Sequence, residues 1–283
     1  MTEGPVRTEG PVRAGAQWLR LREPADAAAR SVELVDMVRA ALPAEGPLVI
    51  HDLGCGSGAM ARWLAPQLPG PQHWVLHDRD QALLDLVIED PPRRGSDGAP
   101  VSVETRCHDI TRLDPAEMAG ASLVTASALL DMLTEGELDR TVTACAALRC
   151  PVLIALSVTG HVRLDPPEPL DRRVADAFNA HQRRTTRTGR LLGPDAGEAA
   201  VLGFEQRGFE VTVRPSPWRL GAGQSDLMTA WLAGWVGAAS EQEPDLAGPI
   251  DPYWQSRATA ATAGRLAVTV QHLDLLALPG AGA

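Results

Sequence analysis

Lysine is absent from this chain; all 26 basic residues are arginine. That removes a Schiff-base lysine, a phosphate-loop lysine and a lysine general base together. Cysteine is scarce. Cys55, Cys107, Cys145 and Cys150 make no C-x-x-C pair and no paired spacing with histidine. Reduced thiols are expected, with no disulfide and no metal site. Apolar runs are short: none reaches the length of a membrane span, and no secretory core is visible. The expectation is a soluble, cytoplasmic chain. Net positive charge is missing too. A charge of −10 argues against wholesale attraction to nucleic acid or anionic membrane.

What is present suffices for one large core with an elaboration: 283 residues, 45% apolar. The most informative stretch runs from Leu48 to Asp80, LVIHDLGCGSGAMARWLAPQLPGPQHWVLHDRD. An apolar run ends at Asp52, and Gly54, Gly56 and Gly58 follow. A helix-like segment comes next, then a second apolar run ending at Asp78. This is the pattern of a nucleoside-binding βαβ unit. The glycines turn the backbone sharply and let it lie against a ligand. A carboxylate ending the second strand can accept both ribose hydroxyls.

Two ligand classes use this pattern. A dinucleotide site wants G-x-G-x-x-G/A, which Gly54, Gly56 and Ala59 satisfy, with a pyrophosphate at the helix N-terminus. S-adenosylmethionine has no phosphate and would set an amino acid moiety and a sulfonium against the turn. An acid two positions before the first glycine then has a purpose, because it can hold the ammonium end. Asp52 stands there.

Residues 2–7 and 8–13 repeat the hexapeptide TEGPVR, and 1–14 read as a disordered tail. Residues 15–46 are helical in pattern, with Pro24 suited to a first helical turn and Val32 to Leu42 at helical spacing. Over 47–158, strands are expected near 47–52, 73–78, 101–107, 121–127 and 151–158, alternating with helices near 57–67, 80–89 and 135–148. Such alternation predicts an α/β fold: a Rossmann-like, doubly wound, mostly parallel sheet of seven strands. Residues 159–193 form an insertion on the substrate side. Residues 194–283 return to the sheet, with a helical insertion near 224–263 that caps the ligand edge.

The string DLGCGSG resembles motif I of the class I S-adenosylmethionine-dependent methyltransferases, and the likeness extends over about 45–158. The flanking segments look like a bacterial subgroup of unnamed substrate. The resemblance implies S-adenosyl-L-methionine as cofactor. It sets Gly54, Cys55 and Gly56 under the methionine portion, Asp52 on the ammonium end and Asp78 on the ribose. Arg79 follows, where a guanidinium can stack on adenine or stay solvated. In RCHDI, Asp109 and Ile110 fall where an acid meets the adenine amine and its neighbour packs on the ring; the alternative for Asp109 is a helix N-cap. Ser127 ends the fourth strand beside the expected sulfonium. Arg22 and Arg30 precede the fold and are candidates for the free carboxylate.

Methyl transfer from a sulfonium needs alignment, plus a base if the acceptor is an alcohol or an ammonium. His181 is the first candidate base, within AFNAHQRRTTRTGRLLGPDAG. Asp131 and His161 are the next. Asn179, Arg183 and Trp218 are candidate substrate contacts, and Trp231, Trp235 and Trp254 can add an aromatic wall or simply form core. His51 and His77 point to the opposite strand face from the cofactor acids and read as packing or hydrogen-bonding residues. The expected reaction is methyl transfer to an O or N atom of a small molecule, with a homodimer left open. The competitors are an RNA methyltransferase using the 183–190 arginines and a cofactor-binding fold turned to assembly.

Overall fold

The computed structural model describes residues 15–280; the expected tail over 1–14 lies outside them. Two helices, α1 (Ala16–Ala29) and α2 (Val32–Ala41), lead into the alternating core. That core is β1 (Leu48–Leu53), α3 (Ala59–Leu64), β2 (Gln72–Asp78), α4 (Gln81–Glu89), β3 (Val101–Cys107), β4 (Leu123–Ser127), α5 (Glu135–Ala147) and β5 (Val152–Asp165). Then come α6 (Asp171–Gln182), the short hairpin β6 (Thr185–Thr186) and β7 (Gly189–Arg190), and α7 (Ala196–Glu205). The chain closes with β8 (Phe209–Pro215), β9 (Trp218–Leu220), α8 (Ser225–Gln242), α9 (Ala247–Thr262) and β10 (Ala267–Pro279).

The sheet order is β3-β2-β1-β4-β5-β10-β8, with β9 also paired to β10. β3, β2, β1, β4 and β5 are mutually parallel. β10 runs antiparallel to β5, β8 and β9. The expected seven strands are there, and β9 adds a short eighth. The order reverses between β1 and β4, so their C-terminal ends open a crevice where ligands bind in such sheets.

Alternation decides which side each residue faces. Ile50, Trp74 and Leu76 pack with Leu34, Leu64 and Val87 against α2, α3 and α4. Leu53, Val124 and Ile154 pack with Val142 and Phe204 against α5 and α7. The inner strands are buried along nearly their whole length, as parallel strands covered on both faces must be.

Two departures from the sequence expectation bear on the site. Pro24 lies inside α1 rather than in a first turn. The break falls instead at Arg30–Ser31, where the Ser31 side chain caps α2 and its N–H donates to the buried Asp274 carboxylate at 2.7 Å. Tertiary anchoring, not proline, sets this boundary. Second, β5 does not stop at 158. It runs to Asp165, paired with β10 through two register shifts. This long ribbon carries a third apolar cluster, in which Trp218, Trp231, Trp235, Met228 and Tyr253 pack among α6, α8, α9 and β9. Trp18 and Leu21 of α1 join its edge. Among the described residues, no helix is long and apolar enough to cross a membrane.

Candidate cofactor and acceptor site

The glycine turn sits at the end of β1. Gly54, Gly56 and Gly58 all have positive φ, at 65°, 55° and 83°. That conformation is free for glycine and strained for other residues. Space is short as well: a Cβ at Gly54 would meet Leu129 at 2.7 Å, and one at Gly56 would meet Leu19 of α1 at 3.2 Å. The turn hangs on the end of β2. Cys55 N donates to the His77 carbonyl, and Gly56 N donates to Asp78 Oδ2, both at 2.9 Å. Asp78 Oδ1 accepts from Asp80 N. Each carboxylate oxygen has a second lone pair to offer, so a ribose diol can still be accepted.

Asp52 is fully buried. Its Oδ1 accepts from Thr125 Oγ1 at 2.7 Å, and its Oδ2 has no partner. Burial pushes the carboxyl up to about 7, opposed by the Thr125 hydrogen bond and the Arg30 charge. Arg30 is 4% exposed. It donates to Ser127 Oγ at 3.1 Å and lies over the Trp63 ring, while its Nε has no partner. Burial lowers the guanidinium pKa. A buried acid and a buried cation, each with an unsatisfied atom, therefore flank the crevice. Ser57 Oγ on the turn is also buried without a partner. These atoms match the ammonium and carboxylate of an α-amino acid, so the residues fit the methionine end of the implied cofactor.

The other sequence candidates divide. Ser127 is brought to Arg30 at the end of β4. Arg22, the other carboxylate candidate, gives its fork to Asp26 at 2.9 and 3.2 Å and lies against Trp18 and Trp218. Arg79 is exposed just past β2. Asp109 caps a 3-10 turn, accepting from Thr111 N and Oγ1, and Ile110 packs against the core behind it. Asp131 lies in the 3-10 turn Leu130–Met132 after β4. Burial pushes its carboxyl up to about 6, against its own backbone N–H and the charges of Arg22 and Arg184.

The 177–190 segment is committed to partners of its own. Asn179 Nδ2 donates to the Gly160 carbonyl at 2.8 Å. His181 Nε2 lies 3.3 Å from Glu241 of α8. Arg183 forms a fork with Asp195 at 2.6 Å. His161 is exposed on the extension of β5. Trp218 is buried, and its Nε1 donates to Asp26 at 2.9 Å. These contacts fasten α6 to its surroundings and β9 to α1.

Several members escaped the sequence reading. Glu23 of α1 pairs with Arg62 of α3 at 2.6 Å, and Arg62 also donates to the Ser57 carbonyl at 2.6 Å. This pair ties α1 to the glycine turn. Thr125 and Asp26 likewise serve only through the fold. The one available signal was a polar residue, Thr125, inside the apolar run of β4.

A family model for a methyltransferase domain matches residues 50–151. That stretch is similar to a methyltransferase domain. The matched stretch runs from within β1 to the loop before β5, and so includes the glycine turn, Asp52, Asp78 and Ser127. Among solved structures, a protein assigned as a type II methyltransferase from Anaeromyxobacter dehalogenans is similar at 21% identity and TM-score 0.51, over 87% of this chain and 96% of that one. That likeness is one of fold. The cyclopropane synthase MmaA2 from Mycobacterium tuberculosis aligns at 13% identity and TM-score 0.49, over 93% and 94% of the two chains. No curated protein sequence matches. The helices α1, α2, α6, α7, α8 and α9 lie outside the matched stretch.

Proposed function

We propose that the protein moves a methyl group from S-adenosylmethionine to an O or N atom of a small molecule bound between the β4 edge and the helical cap. The observation that carries this reading is the pair of unsatisfied buried atoms, Asp52 Oδ2 and Arg30 Nε. Unpaired polar atoms in a dry site are costly, and a zwitterionic amino acid end satisfies both.

When bound, the sulfonium supplies an already activated methyl group. The chain's part is then to bind, orient and deprotonate. Asp78 holds the ribose, and Arg30 and Asp52 hold the amino acid end. Leu19 and Leu129 pack against Gly56 and Gly54 of the turn. Asp131 is placed first among the three candidate bases. It follows β4, its carboxyl is half ionised near pH 6, and Arg22 and Arg184 favour its charged form. His181 and His161 rank lower, because one is paired with Glu241 and the other faces solvent. A small acceptor is favoured by α1 lying across the turn and by the Arg183–Asp195 pair, which leaves that arginine little to offer a phosphate chain.

The test is transfer of a radiolabelled methyl group to a panel of small phenols, hydroxy acids and amines, run beside bulk RNA. Labelling of a small molecule supports the reading. Labelling of RNA alone would replace it with the nucleic-acid alternative.

A further inference from the structure

Three of the seven histidines stand directly before an aspartate: His51-Asp52, His77-Asp78 and His108-Asp109. The pairs fall at the ends of three adjacent parallel strands. His51 lies in β1, His77 in β2, and His108 one residue past β3. On a strand, neighbours face opposite sides, so Asp52 and Asp78 look toward the crevice while their histidines look away.

Behind the crevice the imidazoles meet. His51 Nδ1 lies 2.9 Å from His77 Nε2, and His77 Nδ1 lies 2.7 Å from His108 Nε2. The rings meet edge to edge and nearly coplanar, with centroids 5.1 and 4.8 Å apart and planes within 21° and 13°, as in-plane N–H···N bonds require. An N–H···N bond needs one donor and one acceptor. Two consecutive bonds through His77 therefore require one tautomer along the whole chain, all Nδ1–H or all Nε2–H. Burial supports this by pushing His51 down to about 4 and His77 to about 3, so both are neutral. The charged and titratable groups around the chain are Glu104 and Arg106 of β3, His73 of β2, and Glu117 at 3.9 Å from His108 Nδ1.

Backbone links join the chain to the site. The His77 carbonyl accepts from Cys55 N in the glycine turn, and His108 N donates to the Asp78 carbonyl at 2.9 Å. Residues 77, 78 and 108 thus hold the turn and the ribose acid together. Two buried polar rings, His51 and His77, with His108 half-buried at their end, are a costly way to fill a core position that apolar side chains would fill without hydrogen-bond constraints. Their return is directional: each ring fixes the next.

We propose that the His51–His77–His108 chain is a positioning device that holds the ends of β2 and β3 so that Asp78 and the glycine turn present the cofactor-binding oxygens. It rests on the cofactor reading given above. His77 and His108 touch no ligand; they act through Asp78 and the backbone of the turn.

The test uses the full chain and S-adenosylhomocysteine as the probe, in calorimetry at neutral pH. His108→Ala removes the half-exposed outer member and should weaken binding about tenfold, as for one lost hydrogen bond in a coupled buried network. His108→Gln sets an amide near the Nε2 position and should restore affinity to within about twofold of the parent. In the parent, ¹⁵N–¹H spectra of the rings should show His51 and His77 neutral, protonated on the same type of nitrogen, with coupling across the N–H···N bonds. Unchanged affinity in His108→Ala, an equal tenfold loss in His108→Gln, or opposite tautomers in His51 and His77 would each overturn the proposal. Should His108→Ala fail to fold, the glutamine variant and the ring spectra decide it. If the parent binds no S-adenosylhomocysteine, the cofactor reading falls and this proposal falls with it.

Discussion

Arg30 reaches Ser127 Oγ at 3.1 Å across 97 positions of sequence, joining the break between α1 and α2 to the end of β4. The bond sets a cation, otherwise short of partners, at the edge where the strand order reverses. Its geometry depends on Asp274, which accepts from Ser31 N at 2.7 Å and Leu156 N at 2.8 Å and so ties the break to the sheet.

Arg30→Gln should weaken S-adenosylhomocysteine binding about ten- to a hundredfold, the usual range for a lost charge-assisted bond. Arg22→Gln should weaken it less, because Arg22 is already forked to Asp26. Calorimetry on both variants checks the order. A larger loss for Arg22 would transfer the carboxylate to that residue.

The fold was legible where the signal is local. The β1–turn–α3–β2 unit is encoded in alternate glycines and in two apolar runs, each ending in an acid; both strands fall within a residue of expectation, while the expected helix over 57–67 is α3 to Leu64 followed by a 3-10 turn over Ala65–Gln67. The α1–α2 break was not legible, because its determinant, Asp274, lies at the far end of the chain. The same reason hid the commitments of the 177–190 segment. Its composition reads as a reactive wall, yet Asn179, His181 and Arg183 are answered by Gly160, Glu241 and Asp195. Composition shows which polar groups exist; only the fold shows which are already paired. The histidines before Asp52 and Asp78 were legible as facing away from the crevice, but their contact with His108 required the strand register.

Asp131→Asn should lower turnover about a hundredfold while leaving S-adenosylhomocysteine affinity nearly intact, as for removal of a general base. The parent rate should rise with pH through about 6 as the carboxyl ionises. The variant should lose that limb. His181→Ala should keep most of the activity, since Glu241 and not the crevice holds that ring. Steady-state pH profiles of the three proteins check this; a flat parent profile between pH 5 and 7 would remove Asp131 from the chemistry.

Asp52 carries a stability signature of definite sign. Its folded pKa, about 7, lies above the ordinary carboxyl value. The folded state therefore holds the proton more tightly than the unfolded state. The stability this confers is full below the ordinary value and is lost as pH rises through about 7. Asp52→Asn keeps an acceptor for Thr125 and cannot ionise. Its melting temperature relative to the parent should be higher at pH 8 than at pH 5. Thermal melts at the two pH values test the sign, and a constant difference would contradict it.

The central claim is that the crevice is built for S-adenosylmethionine. Titration of the parent protein with S-adenosylhomocysteine in a calorimeter, with NADH as the control, tests it most directly. The account predicts one site per chain for S-adenosylhomocysteine, weakened by Arg30→Gln, and no heat from NADH. Binding of NADH with none of S-adenosylhomocysteine would contradict it.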